Sequence, residues 1–265
     1  MFDLPARPEY FSPDHEAFRQ TVRDFVAREI TPHASAWDEA GSFPRALYAR
    51  AASIGLMGIG YPEHLGGTPA DLFYTVVAAE ELARAGSGGL QASLGSHHIA
   101  LPPILAEGSA AMQARVLPPV LAGEKIAALA ITEPGGGSDV AALATTAVRA
   151  VDSAGDHYVV NGQKTFITSG LRADFLTVAV RTDPANKGPG GLSLLLVDGA
   201  SPGLQRTLLA KTGWWASDTA HLRFDQCRVP ASHLIGAEGG GFRSIMRNFN
   251  NERLMMAVMA CAYAQ

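Results

Sequence analysis

The sequence predicts an α+β chain with three parts. Residues 1–122 read as an N-terminal helical domain, 123–232 as a middle β-barrel or sandwich domain, and 233–265 as the start of a C-terminal helical bundle. Three observations predict this. In the first part apolar residues recur every three or four positions, the spacing that buries one face of a helix. Beyond residue 123 the period falls to two, and short β-prone runs are separated by Pro, Gly, Asn and Asp clusters. After Gly239-Gly240-Gly241 the helical period returns.

Taken in order, Ser12-Pro13-Asp14 starts the first helix with a capping hydroxyl, a preset φ and an acid at the positive dipole end. Phe18, Val22, Phe25 and Val26 form its apolar face. A second helix runs from Pro44 to Ile54 and stops at Gly55. A third starts at Thr68-Pro69 and ends near Gly86, with Leu72, Val76, Ala79 and Ala83 on one face. Ser109 to Leu117 is a shorter helix, halted by Pro118-Pro119. In the middle part, 158–167 reads as two strands around Asn161-Gly162, a strong hairpin signal because both turn residues must accept positive φ. Further strands are expected at 174–182, 192–198 and 220–225, with 183–191 a mobile surface loop. In the last part Phe242, Ile245, Met246 and Phe249 share a helix face, and Met255, Met256 and Met259 read as bundle core. No Gly, Pro or basic turn closes this helix before Gln265, so the sequence reads as stopping inside an element.

Composition narrows the function. Of 265 residues 47% are apolar and 17% charged, with 21 Lys plus Arg against 25 Asp plus Glu. That balance supports a sizeable core and excludes a disordered chain. The net charge of −4, without a basic stripe, argues against nucleic acid as a partner. Every apolar run breaks before the roughly 18 residues a membrane span needs. MFDLPARPEYF lacks the charged-then-apolar pattern of a signal peptide. Cys227 and Cys261 are too few for a disulfide framework and lack metal-ligand spacing. A cytoplasmic protein without a metal site is expected.

Two segments concentrate the chemistry. In 129–139 (LAITEPGGGSD) a strand runs into three glycines. Exposed N–H groups and the Thr132 and Ser138 hydroxyls could cradle a pyrophosphate or a flat ring; a plain Gly-rich turn is the alternative. In 162–170 (GQKTFITSG) strand alternation puts Phe166 and Thr168 on one face, as a planar cofactor would require. An ordinary hairpin with Phe166 in the core fits as well. His97-His98, before a Pro pair, read as loop or pocket-lining residues, and Trp214-Trp215 as packing at the β-domain edge.

Together, TEPGGGSD and the later NGQKTFITSG resemble the acyl-CoA dehydrogenase family of flavoenzymes. KTGWWASDT, FDQCRVPASHLIG, GGGF and NNERLMMA follow in the order that family shows, so the resemblance covers nearly the whole chain. It implies helical, β and four-helix domains, of which the last is represented here by one helix. It also implies an FAD site formed by Leu129, Ile131, Thr132, Gly137, Ser138, Phe166, Ile167 and Thr168. Many family members have Tyr at the Leu129 position and Trp at the Phe166 position. Ser138, Asn250 and Arg253 match acyl-CoA contacts, although Asn250 stands where the family has Asp.

The implied reaction removes the pro-R α-proton of an acyl-CoA and passes the β-hydride to the flavin, leaving a trans-2-enoyl-CoA. Electrons then go to an electron-transfer flavoprotein, and the full-length enzyme is a homo-oligomer, tetramer or dimer. In some family members the base comes late in the C-terminal domain. In a subset resembling isovaleryl-CoA and long-chain acyl-CoA dehydrogenases it is the Glu of a Glu-Arg pair, here Glu252. A solvated helix-surface carboxylate, or a partner of Arg253 or Arg247, is the competing reading of Glu252, while Glu133 and Glu238 read as structural. Flavin oxidases or monooxygenases, and a non-catalytic acyl-CoA/FAD-binding remnant, are the competing functions.

Overall fold

The structure, a computed structural model, describes residues 9–153 and 155–265. Helix α1 (Pro13–Phe25) starts where the sequence predicts. The Ser12 hydroxyl accepts from the His15 N–H, and the His15 ring returns a bond to the Ser12 N–H. Val22, Phe25 and Val26 are buried, with Phe18 packed against them. One π turn, Val26–Ile30, continues the helix. Helix α2 (Ala34–Ala40), which has little periodic signal, precedes α3 (Ala46–Ser53), and α3 ends just before Gly55 at φ +81°.

Helix α4 (Leu72–Ala83) begins later than expected. Thr68 bridges Ile59 and donates its N–H to the Gly58 carbonyl at 2.8 Å, so the cap passes to Asp71, which accepts from the Phe73 N–H. Its buried face is also displaced: Ala79 and Ala83 are buried, but Leu72 is exposed and Val77, Ala78 and Leu82 take the core. Contact with α1 on one side and the last helix on the other explains why one stripe does not describe it. Between α4 and residue 109 lie three short helices, α5 (Gly88–Leu94), α6 (His97–Ala100) and α7 (Pro102–Glu107). His97-His98 therefore lie on a helical turn, not in a loop.

Helix α8 (Ala110–Leu121) runs through Pro118 and Pro119. The prolines fall near its end, where their carbonyls accept from Ala122, Glu124 and Lys125, and burial of Val116, Leu117, Val120 and Leu121 outweighs two missing donors.

Strands β1 (Ala127–Ala130), β2 (Thr146–Asp152), β3 (Gly155–Ile167), β4 (Phe175–Arg181), β5 (Leu192–Asp198), β6 (Leu204–Leu208), β7 (Ala220–Pro230) and β8 (Leu234–Ile235) form one sheet. Its order is β6-β7-β3-β2-β4-β5-β8, with β1 parallel to β4. This rules out the closed-barrel alternative, because the path ends on β6 and β8 without closing. The β2–β4 junction is a single registered pair, Thr146 with Arg181.

Asn161-Gly162 is not a hairpin turn. β3 runs straight through it, and β2 pairs with β3 by placing Asp152 opposite Gly155. Gly162, at φ +148°, lies where the β3–β7 register shifts, and a Cβ there would meet Thr145 Oγ1 at 2.5 Å. The dipeptide marks a bulge with close backbone approach. Helix α9 (Gly241–Ala264) closes the chain, packing Phe242, Ile245, Met246 and Phe249 on the core as expected. Among the described residues no helix is long and apolar enough to cross a membrane, and no cluster of three His, Cys, Asp or Glu could hold a metal.

Candidate active site

The two chemistry-bearing segments are bonded to each other. The Thr165 N–H donates to the Thr132 carbonyl at 2.8 Å, and Lys164 Nζ donates to the Ile131 carbonyl at 2.9 Å and to Glu133 Oε1 at 2.8 Å. Glu133 also accepts from the Ala144 and Thr145 N–H groups, which anchors the turn in 133–136. Desolvation pushes the fully buried Lys164 down to about 8, against the pull of Glu133. For Glu133 desolvation acts upward, but Lys164 and the donors around it hold the carboxyl below its ordinary range.

The predicted FAD-site residues divide by burial. Leu129, on a strand covered at every position, and Ile131, just after it, are buried in the core, and Ile167 is buried opposite Ala220. These three can offer a ligand shape and backbone. Thr132 is half-buried, while Gly137 and Ser138 are exposed. Strand alternation does not govern Phe166 and Thr168, since β3 ends at Ile167 and Phe166 has φ +58° at a register shift. The Phe166 ring is 68% exposed, and Thr168 lies in a cavity wall.

That cavity, about 530 Å³, lies between α4, α5, α6 and α9. Its wall is mostly apolar. Glu252 reaches it from α9 beside Met255, Met256 and Met259, so these methionines line a cavity where bundle core was expected. Desolvation raises the Glu252 carboxyl to about 7, with Arg253 opposing. Asn248, one helical turn earlier, donates to Glu252 Oε1 at 3.0 Å and to the Ile99 carbonyl at 2.8 Å. Arg247 reaches toward Glu107, and Arg253 lies over the Phe249 ring with Asn250 Oδ1 at 3.5 Å. Glu252 is therefore not a solvated acid tied to Arg247. A second, more open depression brings Gly137, Ser138, Glu252 and Arg253 together.

Comparison with known proteins decides the family. Residues 12–124 match the acyl-CoA dehydrogenase N-terminal domain, and 128–227 match the acyl-CoA dehydrogenase middle domain. The chain belongs to the acyl-CoA dehydrogenase family. It is 38% identical over 252 residues to the long-chain specific acyl-CoA dehydrogenase of Mus musculus mitochondria, covering 94% of this chain and 57% of that protein. A probable acyl-CoA dehydrogenase from Mycobacterium abscessus superposes with a TM-score of 0.91 at 50% identity, covering 96% of this chain and 66% of that one. A Bacillus anthracis acyl-CoA dehydrogenase crystallised with FAD gives a TM-score of 0.87 at 30% identity, covering 97% and 43%. The chain spans about 60% of the length of the curated relatives it matches.

Within this family framework several contributors escaped the sequence. Asn248 carried no motif signal, although its i, i+4 spacing from Glu252 on a helix could have suggested contact. Trp214, expected at the β-domain edge, also lines the cavity, and a Cβ on Gly88 would meet its Nε1 at 2.5 Å. Trp215 is exposed and donates to the Lys211 carbonyl. Glu238 accepts from the Tyr158 hydroxyl, in keeping with a structural role.

Proposed function

We propose that this chain carries the FAD- and acyl-CoA-binding surfaces of an acyl-CoA dehydrogenase, with Glu252 as the catalytic base. The observation that supports this best is the Glu252 carboxyl at an apolar cavity, raised to about 7 by desolvation. A carboxylate held near neutrality removes a weakly acidic α-proton better than a fully solvated one. Asn248 orients its Oε1, and the apolar wall excludes water from the reacting carbons.

The residues present fit a flat flavin. An exposed Phe166 ring in a left-handed backbone conformation offers a stacking face, and a Cβ on Gly135 or Gly136 would meet nothing within 4 Å. Thr132, Gly137, Ser138 and Thr168 would supply polar contacts, with Leu129, Ile131 and Ile167 behind them. FAD held there would supply the acceptor for the β-hydride. Ser138 and Arg253, which line one depression, would hold the CoA portion with Asn250 beside Arg253, and the fixed cation of Arg253 suits a phosphate.

Electron-transfer flavoprotein is the proposed acceptor. Exposed Leu254, Met256 and Tyr263 on α9 suit contact within a homo-oligomer, and two free cysteines suit the reducing cytoplasm. The test is the flavin spectrum of the purified chain with added FAD, followed by anaerobic acyl-CoA. A visible band that bleaches supports the reading. A chain that binds neither ligand overturns it, and rapid reoxidation of the bleached band in air favours an oxidase.

A further inference from the structure

His98 is an uncommitted polar group in the wall of the apolar cavity. Three of the polar side chains beside it, on α5 and at α6, have partners. Gln91 donates to the Ala79 carbonyl and accepts from the Tyr263 hydroxyl, Ser96 donates to the Ala127 carbonyl, and His97 Nε2 lies 2.9 Å from the Met57 carbonyl. The His98 ring only stacks, 3.9 Å from the His97 centroid and 6.2 Å from that of Tyr61. Its nitrogens have no hydrogen-bond partner among the described residues, yet they are not among the buried polar atoms cut off from the surface. They open into the cavity. Burial pushes the ring down to about 4, so it is neutral, with one N–H donor and one lone pair. His97 Nδ1 beside it is one of two buried side-chain polar atoms without a partner among the described residues.

A saturated alkyl chain packed into this cavity would displace water from His98 and leave both nitrogens unpaired. A carboxylate-ended chain fits no better, because no Lys or Arg lines the cavity to balance its charge. A hydroxyl both donates and accepts, so it satisfies neutral imidazole in either tautomer. Resting on the acyl-CoA reading above, we infer that the cavity takes a hydroxylated acyl group, with His98 as the residue that selects for it. The relevant hydroxyl lies beyond the β-carbon, clear of the carbons that react.

Calorimetry on this chain, loaded with FAD, tests the inference with octanoyl-CoA and with isomers hydroxylated at each carbon beyond the β-carbon. One isomer should bind about tenfold more tightly than octanoyl-CoA, the factor expected when a neutral polar group gains its partner. In His98→Leu that advantage should vanish while octanoyl-CoA binds at least as well. His98→Phe, which keeps a ring against Tyr61, repeats the test should the Leu variant fail to fold. Equal binding of all isomers and octanoyl-CoA, or a preference that survives loss of the imidazole, overturns the inference and leaves the acyl-CoA reading standing. Absence of binding by every thioester overturns both.

Discussion

Lys164 Nζ lies 2.8 Å from Glu133 Oε1, and this ion pair, with the lysine fully buried, fastens the end of β3 to the turn after β1. The same ammonium bonds the Ile131 carbonyl, and the neighbouring Thr165 N–H bonds the Thr132 carbonyl. The two segments proposed to hold FAD are thus parts of one rigid unit.

Breaking that pair should be costly. Lys164→Met strands Glu133 in a half-buried site, so urea unfolding should show a loss of about 3–5 kcal/mol. Adding Glu133→Gln removes the stranded charge and should recover part of the loss. If the double variant is as unstable as the sum of the single ones, the coupling is not electrostatic.

Glu252→Gln should separate chemistry from binding. If Glu252 is the base, anaerobic flavin reduction by acyl-CoA should slow by roughly 10²–10⁴-fold while thioester affinity changes little. A slowdown under about threefold removes Glu252 from that role. In the parent enzyme the rate should rise with pH through about 7, as the carboxyl ionises.

The same carboxyl makes a stability prediction that needs no turnover. Its folded-state pKa is raised, so between about 4.5 and about 7 the native chain holds a proton that the unfolded chain has released. Stability should therefore fall as pH rises across that window. The Tm difference between parent and Glu252→Gln should widen there in favour of the variant. A difference independent of pH would mean that Glu252 is solvated.

Asn248→Leu removes the donor to Glu252 Oε1. Without that bond the ionised form loses support, so the pH–rate midpoint should shift upward while acyl-CoA affinity holds. An unchanged midpoint would limit Asn248 to its bond with the Ile99 carbonyl.

Thr168→Val tests the flavin wall. Loss of one hydroxyl contact should weaken FAD binding by on the order of 1 kcal/mol, read by titrating the visible band. Unchanged affinity would take Thr168 out of the site.

The sequence by itself determined the order of helical, strand and helical parts, the α1 cap, and the segments that carry the family's motifs. These are local properties: a capping hydroxyl, a hydrophobic period and a run of glycines act within a few residues. Tertiary structure decided matters that depend on distant partners. Thr68 was drawn into a bridge with Ile59, moving the start of α4, and Gly162 became a bulge because Thr145 crosses it. Pro118 and Pro119 stayed helical because the residues around them were buried. In sequence Glu252 reads either as the base of the Glu-Arg pair or as a solvated helix-surface acid. Burial at the cavity wall, with α9 packed against α4 and Asn248 bonded to the carboxyl, depends on residues far apart in the chain, and that burial is what raises its pKa.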